Sequence, residues 1–191
     1  MRIRIVVLAS GTGSLFEALL DSGLGTRVVG LVTDQPNARA VKIAQSRKIP
    51  VRKVSLTEFD SRELWEIELL LQVMELSPDL IVAAGFMRIL NPEFVDKFPN
   101  QIVNSHPSLL PQFPGAHAVR DAIEAGAKLT GCTVHFIDHG VDTGKIIAQE
   151  HVKVLPGDTE AELHERIKAV ERTLLPRSVE QLLTERFGKG F

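Results

Sequence analysis

A chain of 191 residues with 44% hydrophobic and 24% charged residues fits one moderate-sized domain with a real core, and nothing in it suggests disorder. The formal net charge of −2 argues against a general nucleic-acid binder, though it leaves a local basic patch open. The single cysteine, Cys132, excludes an internal disulfide and a cysteine-based metal cluster.

The first ten residues are basic and then apolar, which imitates a signal peptide. The apolar run is too short, however, and it enters a glycine turn followed by an amphipathic segment instead of a cleavage site. No stretch reaches the roughly 18 apolar residues that span a bilayer, so a soluble, cytoplasmic chain is expected. Residues 3–9 read as a strand and 15–20 as a helix. A second β-branched strand covers 28–33, a helix 39–47 and a weaker strand 51–54. Phe59, Leu64, Ile67, Leu70, Leu71 and Met74 recur at helical spacing and predict a long helix over 58–76. Pro78-Asp79 introduces a strand over 80–84, and a short helix over 92–97 precedes a strand over 101–105. Two further strands cover 130–137 and 146–154. The last helix starts near Thr159, capped by Asp158 or Thr159. Apolar strands alternating with helices predict an α/β fold. This is a single doubly wound, mostly parallel sheet with helices on both faces, a Rossmann-like arrangement in one domain over residues 1–191. Residues 107–115 are Pro-rich but too short and too apolar to link two domains.

In such a sheet ligands bind beyond the carboxyl ends of the strands. After the first strand comes Ser10-Gly11-Thr12-Gly13-Ser14, opening a helix. Glycines let the backbone approach an anion, and helix-start N–H groups point toward it. Phe16 replaces the last glycine of a dinucleotide fingerprint, and no Gly-Lys-Ser/Thr follows, so the loop reads as a one-phosphate site or as a bare tight turn. After the fifth strand, Asn104 and His106 lie two apart and project to one side. An amide beside an imidazole can polarise a carbonyl and deliver a proton, as formyl transfer needs; a lone histidine is more often structural. Between the last two strands, the loop from Asp138 to Gly144 can aim a carboxylate into the site, which would raise the pKa of His106, or can simply be an Asx turn. His135 and His139 lie four apart on strand and loop, without a supporting ligand pattern, so no catalytic metal is expected.

The runs Gly85-Phe86-Met87-Arg88-Ile89-Leu90, Asn104-Ser105-His106-Pro107-Ser108-Leu109-Leu110-Pro111 and Pro114-Gly115 are followed by residues 130–136 and Val141-Asp142-Thr143-Gly144. In order and spacing this resembles the folate-dependent formyltransferases, over most of the chain from residue 3 to beyond Glu171. The resemblance implies a catalytic trio of Asn104, His106 and Asp142. It implies an acceptor phosphate held at Gly13, Ser14 and Leu15, beside Gly11 and Thr12, with Glu171 contacting the acceptor. It further implies a folate pocket at Arg62, Met87, Arg88, Ile89, Leu90 and Asn104. The co-substrate would be 10-formyltetrahydrofolate, with no metal, and the acceptor the primary amine of phosphoribosylglycinamide in purine synthesis. The chain departs from the family at Leu15, where an Asn is common. Leu110-Pro111 matches a bond that is cis in relatives. The implied chemistry is direct amine attack on the formyl carbon. Asn104 and protonated His106 would stabilise the tetrahedral oxyanion, and Asp142 would support the imidazolium. Competing expectations are a formyltetrahydrofolate hydrolase, which would normally carry an N-terminal regulatory domain, and an initiator methionyl-tRNA formyltransferase, which would carry a further C-terminal domain. A non-catalytic phosphometabolite-binding module is a third. Apolar positions in the last strand and final helix would serve either the core or a homodimer interface.

Overall fold

The computed structural model describes residues 3–188; the remaining residues of the 1–191 span, 1–2 and 189–191, lie outside the described part. Seven strands form one sheet: β1 (Ile5–Leu8), β2 (Val28–Thr33), β3 (Val51–Lys53), β4 (Leu80–Ala83), β5 (Ile102–His106), β6 (Leu129–Phe136) and β7 (Ile146–Lys153). Their order is β3-β2-β1-β4-β5-β6-β7. All pairings from β3 to β5 are parallel, and β6 and β7 add antiparallel. The expected mostly parallel, doubly wound sheet is therefore the observed one.

The sequence explains the layers. β1 (Ile-Val-Val-Leu) and β4 (Leu-Ile-Val-Ala) are buried at every position, as central strands covered on both faces must be. One face packs α1 (Ser14–Asp21), α2 (Arg39–Ser46) and the long α6 (Glu160–Phe187) around Phe16, Leu19, Ile43, Leu163 and Leu175. The other packs α3 (Arg62–Glu75) and α4 (Pro92–Lys97) around Trp65, Leu69, Phe94 and Phe98. β7, at the edge of the sheet, keeps the polar run Gln149-Glu150-His151 largely outside the core.

Two elements differ from expectation. The helix predicted over 58–76 begins only at Arg62, because the Ser61 hydroxyl accepts the Leu64 N–H and caps the first turn; residues 56–58 form a separate 3₁₀ turn. The apolar periodicity that identified this helix also lies largely on its outer side. Leu64, Ile67 and Leu71 are about half exposed, whereas Trp65, Leu69 and Val73 are buried. α5 (Ala118–Glu124) was not anticipated; it is seven residues long and carries little apolar pattern. Thr159 closes a full capping box with Glu162 at the start of α6, settling the choice between Asp158 and Thr159. The Leu110–Pro111 peptide bond is cis.

Candidate active site

The carboxyl ends of β1, β4 and β5 lie side by side, and beyond them opens a cavity of about 330 Å³. Its walls are residues 85–90 after β4, 104–107 at the end of β5, 115–119 leading into α5, and 137–138 and 140–142 between β6 and β7. β6 adds His135, and the first two turns of α6 add Glu160 and His164.

Asn104 and His106 project to one side of β5 into this cavity, and the antiparallel register sets His135 of β6 directly opposite Asn104. The Asn104 amide donates to His135 Nε2 at 3.2 Å, while His135 Nδ1 donates to the carbonyl of Phe136 at 2.8 Å. These two bonds define the imidazole tautomer and hold the Asn104 amide at the cavity wall. His106 is 5% exposed; its Nε2–H donates to the Phe113 carbonyl at 2.9 Å, and Nδ1 lies 3.3 Å from Asp142 Oδ2. Asp142, at φ 56°, is held in the left-handed region. Its Oδ2 accepts the Gly115 N–H at 2.7 Å, and its Oδ1 sits 3.5 Å from His135 Nε2. Residues expected to converge from two distant segments therefore do converge.

The protonation balance overturns one expectation. Burial pushes the His106 pKa below its ordinary value, and this outweighs the opposing pull of the Phe113 carbonyl and the Asp142 carboxylate; nearby His135 adds to the lowering. That shift favours the neutral ring at pH 7 over the imidazolium expected from the sequence. Burial alone would raise the pKa of Asp142. The nearby His135 ring, the Gly115 N–H and the His106 ring outweigh it and hold the carboxyl below its usual range. A neutral His106 with Nε2–H committed to Phe113 turns its Nδ1 lone pair toward a carboxylate. A second proton on Nδ1 converts that repulsion into an ion pair, so the pair is built to take up charge during a reaction.

The other expected residues fall into distinct settings. Gly13 caps α1 at φ 72° without a side-chain cap, so the first-turn N–H groups of α1 have no side-chain capping partner. The space a Cβ would need at Gly13 is filled by Ala40 of α2, with the Ala40 Cα 2.9 Å away. Gly11 and Thr12 are exposed, but Leu15 is buried in the core, so any contact it makes with a phosphate runs through its backbone. None of residues 11–15 lines the cavity itself. Met87 and Ile89 form its exposed apolar lip and Leu90 its buried floor. Arg62 stands outside it, donating to the Ile89 carbonyl at 3.0 Å and to Glu66 at 2.8 Å. Arg88 lines the cavity but commits its Nε to Asp34 at 2.7 Å. Glu171 is 4% exposed and lies behind β5, where Ser105 Oγ donates to it at 2.6 Å; burial pushes its pKa up. His139 pairs with Asp96 on the surface, 2.8 Å away, so it does not converge with His135. Among the described residues no group of three or more His, Cys, Asp or Glu is arranged to hold a metal ion. Cys132 is buried in β6, and burial pushes its thiol up to about 12, which removes it as a nucleophile. Sequence reasoning missed His135 as a partner of Asn104, and missed Asp34, Glu160 and His164. Only strand register and helix docking reveal these residues.

Residues 3–179 match the family described as Formyl transferase. The chain is 50% identical over 184 residues to a phosphoribosylglycinamide formyltransferase of Mycobacterium tuberculosis, covering 95% of this chain and 85% of that one. It is 36% identical to the enzyme of the same name from Escherichia coli, covering 91% of this chain and 84% of that one. The crystal structure of phosphoribosylglycinamide formyltransferase from Bacillus halodurans superposes with a TM-score of 0.91 at 40% identity, covering 98% of this chain and 99% of that one.

Proposed function

The chain belongs to the formyl transferase family, and from that premise we propose how its own residues carry out the reaction. It transfers the formyl group of 10-formyltetrahydrofolate to the primary amine of phosphoribosylglycinamide, a step of purine biosynthesis. The observation that carries the mechanism is the cluster of Asn104, His106 and Asp142 around one cavity, with both ring nitrogens of His106 facing acceptors.

The folate lies against the apolar lip of Met87 and Ile89, with Leu90 beneath, and Arg62 and Arg88 shape that loop from outside and inside. The acceptor's phosphate meets the uncapped N–H groups of Gly13, Ser14 and Leu15, next to Gly11 and Thr12, where the α1 dipole favours an anion. Glu171 sets the acceptor end of the site through Ser105. The neutral amine attacks the formyl carbon and forms a C–N bond as the carbonyl electron pair moves to oxygen. Asn104 donates to that oxyanion, in a site dry enough for the bond to count. The His106–Asp142 pair takes up the proton released by the attacking nitrogen, with Asp142 holding the imidazolium that results, and the proton passes on to N10 as the C–N10 bond breaks. The products are the formylated amide and tetrahydrofolate, and no covalent enzyme intermediate is required.

This reading takes residues 1–191 as one cytoplasmic catalytic unit, and sedimentation tells whether it works as a monomer or a homodimer. Among the described residues, no helix is long and apolar enough to cross a membrane. The deciding assay follows release of the tetrahydrofolate product with phosphoribosylglycinamide, with water alone and with a tRNA acceptor. Release that depends on phosphoribosylglycinamide supports the reading. Release with water alone makes the chain a hydrolase, and folate binding with no release makes it a binding module.

A further inference from the structure

Asp34 is a carboxylate whose side chain is 1% exposed, placed directly after β2 and outside every motif described above. A buried carboxylate is costly unless its oxygens are matched, and here both are. Oδ1 accepts the Ser10 hydroxyl at 2.5 Å; Oδ2 accepts Arg88 Nε at 2.7 Å and the Gln35 amide at 3.2 Å. Ser10 Oγ in turn accepts the Met87 N–H at 2.9 Å, and the Ser10 N–H donates to the Gly85 carbonyl at 3.0 Å. Ser10 opens the glycine loop that precedes α1, whereas Met87 and Arg88 belong to the loop after β4 that walls the cavity. One backbone bond, Ser10 N–H to the Gly85 carbonyl, joins the two loops, and the side-chain bonds of Ser10, Asp34 and Arg88 supply the rest of the tie.

We propose that Asp34 is a positioning residue that binds the acceptor loop and the folate loop into one unit, so that occupation of either site prepares the other. The idea rests on the assignment of those two loops to the two substrates. Asp34 touches neither substrate. It sets the Ser10 hydroxyl, and through it the Met87 backbone, while it holds the Arg88 side chain against the cavity wall. A phosphate that orders the glycine loop therefore also orders residues 85–88, and by thermodynamic reciprocity a bound folate tightens the acceptor to the same factor.

Two variants test this. Asp34→Asn keeps the shape and removes the charge. Ser10→Ala removes only the bridging hydroxyl and leaves the Asp34–Arg88 ion pair, so its melting temperature should fall by no more than about 2–4 °C. Calorimetry measures the Kd of phosphoribosylglycinamide with and without a saturating deaza-folate analogue that lacks a formyl group. In the unmodified chain the analogue should tighten the acceptor at least about fivefold. In both variants the ratio should drop below about twofold. A pure stapling role would lower the melting temperature and leave the ratio unchanged, and that result overturns the proposal, as does a ratio near one in the unmodified chain. The formyl-transfer assay is run alongside. If it succeeds while the ratios fail to move, only the coupling is wrong; if no transfer occurs at all, the functional reading fails and this inference falls with it.

Discussion

In the proposed mechanism, the corner of β5 and β6 and the glycine loop before α1 serve one reaction by opposite means. In the corner, function resides in side chains, and each is locked by another: Asn104 by His135, His106 by Phe113, Asp142 by Gly115. In the loop, function resides in the backbone, and the side chains either lie outside or, like Leu15, are spent on the core. A group that must change its protonation in a dry place has to be buried and paired, which only tertiary packing achieves. A permanently charged phosphate asks only for N–H groups at a helix start, and a local turn supplies them.

The sharpest way to break this comparison is His106→Ala. It should lower kcat on the order of a hundred- to a thousandfold, read as the rate of tetrahydrofolate release; a loss under tenfold would place the chemistry elsewhere. His135→Phe tests whether the corner works by mutual locking. The ring's shape stays but the Asn104 amide loses its partner, so kcat should fall about ten- to a hundredfold with little change in either KM. Equal activity would mean that the Asn104–His135 bond is incidental. In the loop, Gly13→Ala places a Cβ against Ala40 at a positive φ and should cost about 1–3 kcal/mol of stability while raising the acceptor KM. Gly11→Ala meets nothing within 4 Å, so it should keep its melting temperature and raise only the acceptor KM. If both variants melt alike and bind alike, the loop is a mere turn.

The smallest effect is a titration. Because burial lowers the His106 pKa, its ring should titrate by NMR below about 6.5 in the free chain. In the window below that value the unfolded chain binds more protons than the folded one, so this group's contribution to stability is present at neutral pH and lost as pH falls. A midpoint above 7 would restore the resting imidazolium and reverse the direction of proton movement in the mechanism.

Much of this was legible along the chain, for reasons of range. The strand 28–33 and the helix 92–97 were read to the residue, because a β-branched run and an Asn91-Pro92 helix start act locally. α3 shows the limit. Its sequence is apolar on nearly every side, so periodicity announced a helix but not its inward face, which the sheet chose as Trp65, Leu69 and Val73. His106 and Asp142 were recognisable by motif, and so was the raising pull of Asp142 on His106, but not the burial that outweighs it, because desolvation is a property of everything packed around a ring.

By itself, then, the sequence determined the α/β alternation, the glycine turn and the family motif that carries Asn104, His106 and Asp142. Each depends on neighbours a few positions away or on a motif that survives being read in one dimension. The tertiary structure alone decided that His135 faces Asn104, that Asp34 laces two loops together, that Glu171 sits behind Ser105, and that burial lowers the His106 pKa. All four are contacts or burials between segments at least 24 residues apart, or the sum of many such contacts, and no local periodicity encodes them.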